Sequence, residues 1–436
     1  MIQLHTPAVS VPAISDRMVS GSGQLPWHVT VRRRHLARQW AAAWIIVVVF
    51  GTALAPFVLS DQRNVLVILV AALAIPMIVL LRLPVARDLA WSSAAMVYLL
   101  VVELLHGGTR HLSSLGYTGM FVLSYVAFCG TLYTGAVTRQ RMAVLLRRLI
   151  QAYAVVSLAQ MVCARVGLPI PNQILSKEAW SYNSLGVEPS HAARALAFTM
   201  LSYLLLMRRS GAAPSLGAIW RQHRTTIAAF GVSVLLTGST LAVAILPLTI
   251  VMALRLRWML AATLLLVLTW PFLQTVELES IRRMVAFLTA LPSMDIMALA
   301  QADHSGALRV MPLIIFLQSA SLGNPDVWFG GGYDAITYYI QGHLIGVAKN
   351  VASAGFIPGY VMVCGIFGAA LFCHAYLFRF LNALTLPLVL LWILVLANSA
   401  WNSQIFWYSL VLLRTVYHFG QMSPAFRRHI QGRTGR

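Results

Sequence analysis

Glu188-Pro189-Ser190-His191-Ala192-Ala193-Arg194 gathers an acid, a hydroxyl, an imidazole and a guanidinium within seven residues, at the head of an apolar run. Proline's fixed φ suits the first helical position. A helix begun near Pro189 sets Ser190 and Arg194 four apart on one face, with Glu188 at the N-terminal end. A carboxylate partly withdrawn from water can take the proton of an attacking hydroxyl. A guanidinium stays charged at any relevant pH and grips phosphate through two parallel hydrogen bonds. The residues alone leave a second reading open, in which Glu188 sits at a helix N-terminus paired with Arg194.

A second group of such residues lies in 274–354, a stretch that interrupts the apolar runs: Arg282, Arg283, Arg309, Gly330, Gly331, Gly332, Tyr333, Asp334, His343 and Lys349. So long a connection in an otherwise apolar chain concentrates function. The glycine run permits close backbone approach to a ligand, or an ordinary turn. Tyr333, Tyr338 and Tyr339 suit either stacking on sugar rings or anchoring at a bilayer interface. His343 is either a proton-transfer group or a polar surface residue. Glu188, Arg194, Arg309 and His343 are therefore the catalytic candidates. Ser190, His191, Arg282, Arg283, Gly330, Gly331, Gly332, Tyr333 and Lys349 are the substrate-binding candidates. No Asp-x-Asp pair or His cluster has metal-ligand spacing, and no cofactor is expected. Glu103, inside an apolar run, is a further suspect because carboxylates are rare there.

The elements that must position these groups are set by composition. Of 436 residues, 59% are hydrophobic and 10% charged, with a mean hydropathy of +0.76, which describes an all-α, multi-pass membrane protein. Apolar runs of bilayer length predict spans at 40–59, 64–81, 89–105, 117–137, 149–166, 191–207, 225–237, 241–254, 258–273, 355–378, 383–397 and 405–422. Twelve helices follow. They divide the chain into a tail at 1–39, nine spans over 40–273 with a loop at 167–190, the long loop 274–354, three spans over 355–422 and a basic tail at 423–436. Cys129, Cys163, Cys364 and Cys373 all lie in apolar runs and read as packing residues. The first thirty residues lack the apolar core of a secretory signal.

Net charge is +20, which in a soluble chain would suggest nucleic acid; here the basic residues flank apolar runs and encode topology instead. With the N-terminus inside, 22 of the 32 basic residues fall on the cytoplasmic side and nine outside, with Arg414 in the last span. Both termini are thus predicted cytoplasmic, and 167–190 and 274–354 face outward. No Gly-x-x-x-x-Gly-Lys-Ser/Thr loop and no dinucleotide fingerprint occurs, so the substrate must arrive already activated. Arginines kept outside against the topological bias point to an anionic one, although Arg63 and Arg110, beside span ends, read as headgroup contacts.

Three short motifs occur in order along the chain. These are Glu188-Pro189-Ser190 at a span start, Leu236-Thr237-Gly238-Ser239-Thr240 between two short spans, and Gly365-Ile366-Phe367-Gly368 after the long loop. In this order the chain resembles the polysaccharide polymerase and O-antigen ligase superfamily, nearest to the exopolysaccharide polymerases of the xanthan type. Ser305-Gly306-Ala307-Leu308-Arg309 is similar to that family's loop-arginine segment, and Phe329-Gly330-Gly331-Gly332 to its Phe-Gly-x-Gly segment. The resemblance implies a metal-independent glycosyltransferase in a bacterial inner membrane. Such an enzyme moves an undecaprenyl-pyrophosphate-linked chain onto a second lipid-linked repeat unit at the periplasmic face. A chain-length co-polymerase is an expected partner; nucleic acid is not. Ligases of the superfamily carry a His-Asn pair about eleven residues before Gly-x-x-Gly. Here that region reads Ser353-Ala354-Gly355, which favours polymerase over ligase. A transporter or flippase of lipid-linked sugars is the alternative from another class, and the unpaired long loop argues against its repeat symmetry.

Overall fold

In a bilayer every backbone N–H and C=O must be paired within its own segment, so an apolar chain of this kind has helices as its natural solution. The computed structural model describes residues 27–54, 65–106, 111–172, 181–208, 216–253, 279–341 and 354–421, with scattered positions between 264 and 275, and among them no strand occurs. The helices are α1 (Trp27–Ala53), α2 (Val65–Leu80), α3 (Ala86–His106), α4 (Leu112–Leu132), α5 (Arg139–Val166), α6 (Pro189–Met207), α7 (Leu216–Leu236) and α8 (Thr240–Met252). After them come α9 (Glu279–Ala290), α10 (Ile296–Ala302), α11 (His304–Ser319), α12 (Pro325–Phe329) and α13 (Asp334–Gln341). Last are α14 (Val361–Tyr376), α15 (Leu386–Leu396) and α16 (Gln404–Gln421).

Among the described residues five helical stretches are long and apolar enough to cross a membrane: His35–Ala53, Ala86–His106, Leu112–Leu132, Arg139–Val166 and Gly355–Phe380. The chain is thus an all-helical membrane protein, with fewer self-evident spans than the twelve predicted. The physical reasons differ by segment. The predicted span 258–273 falls almost wholly outside the described residues. Helices α6 and α16 are central: α6 packs on α5, α7, α8, α15 and α16, and α16 also touches α1 and α4. Both are buried on nearly every face. A helix surrounded by protein is released from the need to be uniformly apolar. Accordingly α6 carries buried Ser190, Arg194, Thr199 and Ser202, and α16 carries buried Arg414 and His418.

The described part of the long segment 274–354 carries the helices α9 to α13, with a small core of Leu299, Ala307, Met311 and Ile314 backed by Phe287.

This helical segment is fastened to the bundle through main chain. Helix α14 is broken at Gly365, whose φ is +67°, so carbonyls ahead of the break lose their helical partners. Gly331 N–H donates to the Met362 carbonyl at 3.0 Å and Gly332 N–H to that of Val363 at 3.1 Å. The approach is so close that a Cβ on Gly365 would lie 2.3 Å from the Trp328 carbonyl, and one on Gly330 2.3 Å from the Val363 oxygen. Helix α3 completes the clasp. Its Tyr98 hydroxyl donates to the Phe329 carbonyl at 3.0 Å, and its fully buried Glu103 accepts from Tyr333 N–H at 2.8 Å. Gly365→Ala is expected to cost about 2–5 kcal/mol through the combined backbone strain and overlap. The check is the fraction of membrane-extracted protein that elutes as a folded species.

Candidate functional site

Helix α6 starts at Pro189, as the sequence predicts, and the loop that delivers it is held from two sides. Gln160, buried in the middle of α5, accepts from Ser184 N–H at 2.8 Å and donates to the Pro171 carbonyl at 2.7 Å and to Asn183 Oδ1 at 3.2 Å. Asn183 in turn donates to the Gly186 carbonyl at 2.8 Å. On the other side the Leu236–Thr240 motif contributes main chain: Ser181 Oγ donates to the Thr237 carbonyl at 2.7 Å and Tyr182 N–H to that of Leu236 at 3.1 Å. The second sequence motif therefore supports the loop that leads into the first.

Glu188 occupies the N-cap position but makes no side-chain capping bond. Its carboxylate accepts from the Ser190 hydroxyl and lies 3.9 Å from His191 Nε2. Burial acts to raise the Glu188 carboxyl. His191, the Ser190 hydroxyl, Arg309 and Arg194 together outweigh that effect and hold it below the ordinary carboxylate value of 4.5. Glu188 is therefore ionised at neutral pH, the form a proton acceptor needs. Its folded-state pKa being depressed, the ionised form is present above the ordinary value and is lost only as pH falls through the lower one. Ser190→Ala removes one of the lowering contacts. It should raise the Glu188 carboxyl, read from a carbon-13 NMR titration of the glutamate-labelled protein in detergent.

Arg194 and Arg309 line one cavity of about 220 Å³, with His191, Leu308, Pro312, Ala354 and a third wall, the turn between α15 and α16, which supplies Asn398, Ser399, Ala400 and Ser403. The Arg194 side chain comes from α6 and that of Arg309 from the first turns of α11. Arg194 is only 5% exposed. Its Nη1 donates to Ser399 Oγ at 2.8 Å, while its Nε is buried without a partner. Among the described residues no carboxylate lies within ion-pair reach of it. The Glu188 carboxylate acts on it only from beyond ion-pair distance, so the buried guanidinium lacks a direct counter-charge, and an anion in the cavity would supply one.

The other candidates are placed elsewhere. Ser190 is tied to Glu188. Arg282 and Arg283 lie on α9 and do not line the cavity. Gly330, Gly331 and Gly332 form the clasp on α14. Tyr333 is wedged between the rings of His111 at 5.4 Å and Trp401 at 5.9 Å, and His111 Nε2 bonds Asp334 Oδ1 at 3.0 Å. Of the other tyrosines, Tyr338 is 81% exposed and Tyr339 is buried. His343 and Lys349 lie outside the described residues. Sequence reasoning missed Asn398, Ser399 and Ser403. Their one signal was a cluster of polar side chains in a short turn between two apolar runs.

Searches against family models, characterised proteins and solved structures return no match. Fold and composition define the class, an all-helical membrane protein, and the cavity carries the functional argument.

Proposed function

We propose that this chain is an exopolysaccharide or O-antigen polymerase. It joins undecaprenyl-pyrophosphate-linked repeat units at the periplasmic face of a bacterial inner membrane, in a twelve-span chain with both termini cytoplasmic. The observation that carries the reading is Arg194, a buried guanidinium without a carboxylate that shares a cavity with Arg309. Two guanidiniums on one small cavity suit a diphosphate: they bind it in the ground state and stabilise the charge that grows on it as it leaves. In the transfer, the acceptor sugar's hydroxyl oxygen forms a bond to the donor's anomeric carbon. The bond from that carbon to the phosphate oxygen breaks, undecaprenyl pyrophosphate departs with the electron pair, and the hydroxyl proton passes to Glu188. His191, which lines the cavity and faces Glu188, stands where a relay would be useful.

Polymerase is favoured over ligase at one position. Where the resemblance would put a ligase's His-Asn pair, the cavity wall is Ala354, 2% exposed and without chemistry. The deciding experiment deletes the gene and resolves lipid-linked and secreted glycans by size. Single repeat units accumulating on the outer face support the proposal. Full-length polymer left on undecaprenyl pyrophosphate would mean a ligase, and repeat units trapped inside would mean a flippase.

A further inference from the structure

The cavity is chemically two-sided. Its arginines offer only N–H donors, whereas the α15–α16 turn brings Asn398, whose Oδ1 is buried and accepts no hydrogen bond. Nor is Asn398 held by its own amide. Its backbone is trapped against Gly355, where φ is +73° and a Cβ would lie 2.5 Å from the Asn398 carbonyl carbon. Ile357 N–H donates to the neighbouring Ala397 carbonyl at 2.6 Å, and Ser399 N–H to that of Leu396 at 2.8 Å. The main chain thus sets the side chain's position, while its buried oxygen is left without a hydrogen-bond partner.

An ionised diphosphate presents acceptors alone, so it satisfies Arg194 and Arg309 but not an amide oxygen. The group that completes Asn398 must bring an O–H or N–H. Resting on the diphosphate reading above, we infer that Asn398 accepts a hydrogen bond from the sugar carried on the diphosphate, so that the cavity recognises a glycosyl diphosphate rather than diphosphate alone. Ser399 has a related but separate part: its hydroxyl, engaged by Arg194, positions the guanidinium.

The test uses the purified full-length protein and four probes: farnesyl diphosphate and its glucosyl, galactosyl and N-acetylglucosaminyl esters, with affinity measured by calorimetry in one detergent. The wild type should bind at least one glycosyl ester more tightly than farnesyl diphosphate. Asn398→Ala should keep the wild-type affinity for farnesyl diphosphate, which doubles as a folding control. It should bind the preferred ester about ten-fold more weakly, the scale of one unmade hydrogen bond to a buried acceptor. If Asn398→Ala does not accumulate, Asn398→Gln displaces the same oxygen by one methylene and should show the same selective loss. Equal weakening of all probes, no weakening, or no wild-type preference for any ester would overturn the inference while leaving diphosphate binding intact. Failure of every probe to bind folded wild-type protein would overturn the diphosphate reading and this inference together.

Discussion

Arg194→Met is expected to abolish long polymer while leaving the protein as stable as the wild type, or more so. The two halves of this result have one cause. The guanidinium is buried with a serine hydroxyl as its hydrogen-bond partner and, among the described residues, no carboxylate at ion-pair distance, and replacing such a buried charge by an apolar side chain of similar length removes its desolvation cost. In the proposed reaction that charge faces a leaving diphosphate, and losing a donor aimed at developing negative charge lowers rates by about 10²–10³-fold. Arg194→Lys keeps the charge but not the fork, and should fall between wild type and Arg194→Met. Transfer rate and melting temperature, measured on the same detergent-purified samples, provide the check. A large loss of stability with rate merely following abundance would make Arg194 a structural residue.

Asp88→Asn should produce the opposite outcome, a severe loss of folded protein. Asp88, 6% exposed in the first turn of α3, lies between two guanidiniums: Arg379 Nη2 is 3.2 Å from its Oδ1 and Arg414 Nη2 3.1 Å from its Oδ2. Arg414 also donates to the Tyr133 hydroxyl and stacks over Phe380 at 4.4 Å. Removing the carboxylate leaves two buried cations facing each other, and breaking a buried pair in this way costs about 3–5 kcal/mol. Asp88→Asn with Arg414→Met removes one of the stranded charges and should recover part of the loss. Folded yield by size-exclusion chromatography of detergent extracts decides it; a wild-type yield for Asp88→Asn would show the cluster to be dispensable.

Where side-chain chemistry follows helix geometry, the sequence was readable. Pro189 marks the start of α6, and His191 and Arg194 in its first turns line one side of the cavity, because a proline-marked helix start translates directly into position. Arg309 could be singled out as one of the basic residues in a segment expected to face outward, but not its meeting with Arg194 across 115 positions, which depends on how α11 lies over the bundle. Asn398 and Ser399 looked like connector residues, since short polar turns between apolar runs occur in every multi-pass chain. Asp88, next to Arg87, looked like part of the flanking charge that orients a span. Gln160 was hidden by the apolar run around it, and only tertiary contacts show that it holds the loop before α6. The glycine run of 330–332 suited a ligand or a turn equally well; its partner is a second glycine break, in α14.

Helix α3 also has a history during synthesis. Both of its buried carboxylates find their partners long after the helix itself has emerged: Glu103 waits 230 residues for Tyr333, and Asp88 waits 291 and 326 residues for Arg379 and Arg414. At translation rates of about 5–20 residues per second this is an interval of roughly ten seconds to one minute. Through that time α3 holds two acids in or beside lipid, where each carries an insertion penalty of about 2.5–3.5 kcal/mol at the helix centre and less toward its ends. A nascent chain halted before residue 333 would therefore present an α3 that quality-control proteases can distinguish from the finished one.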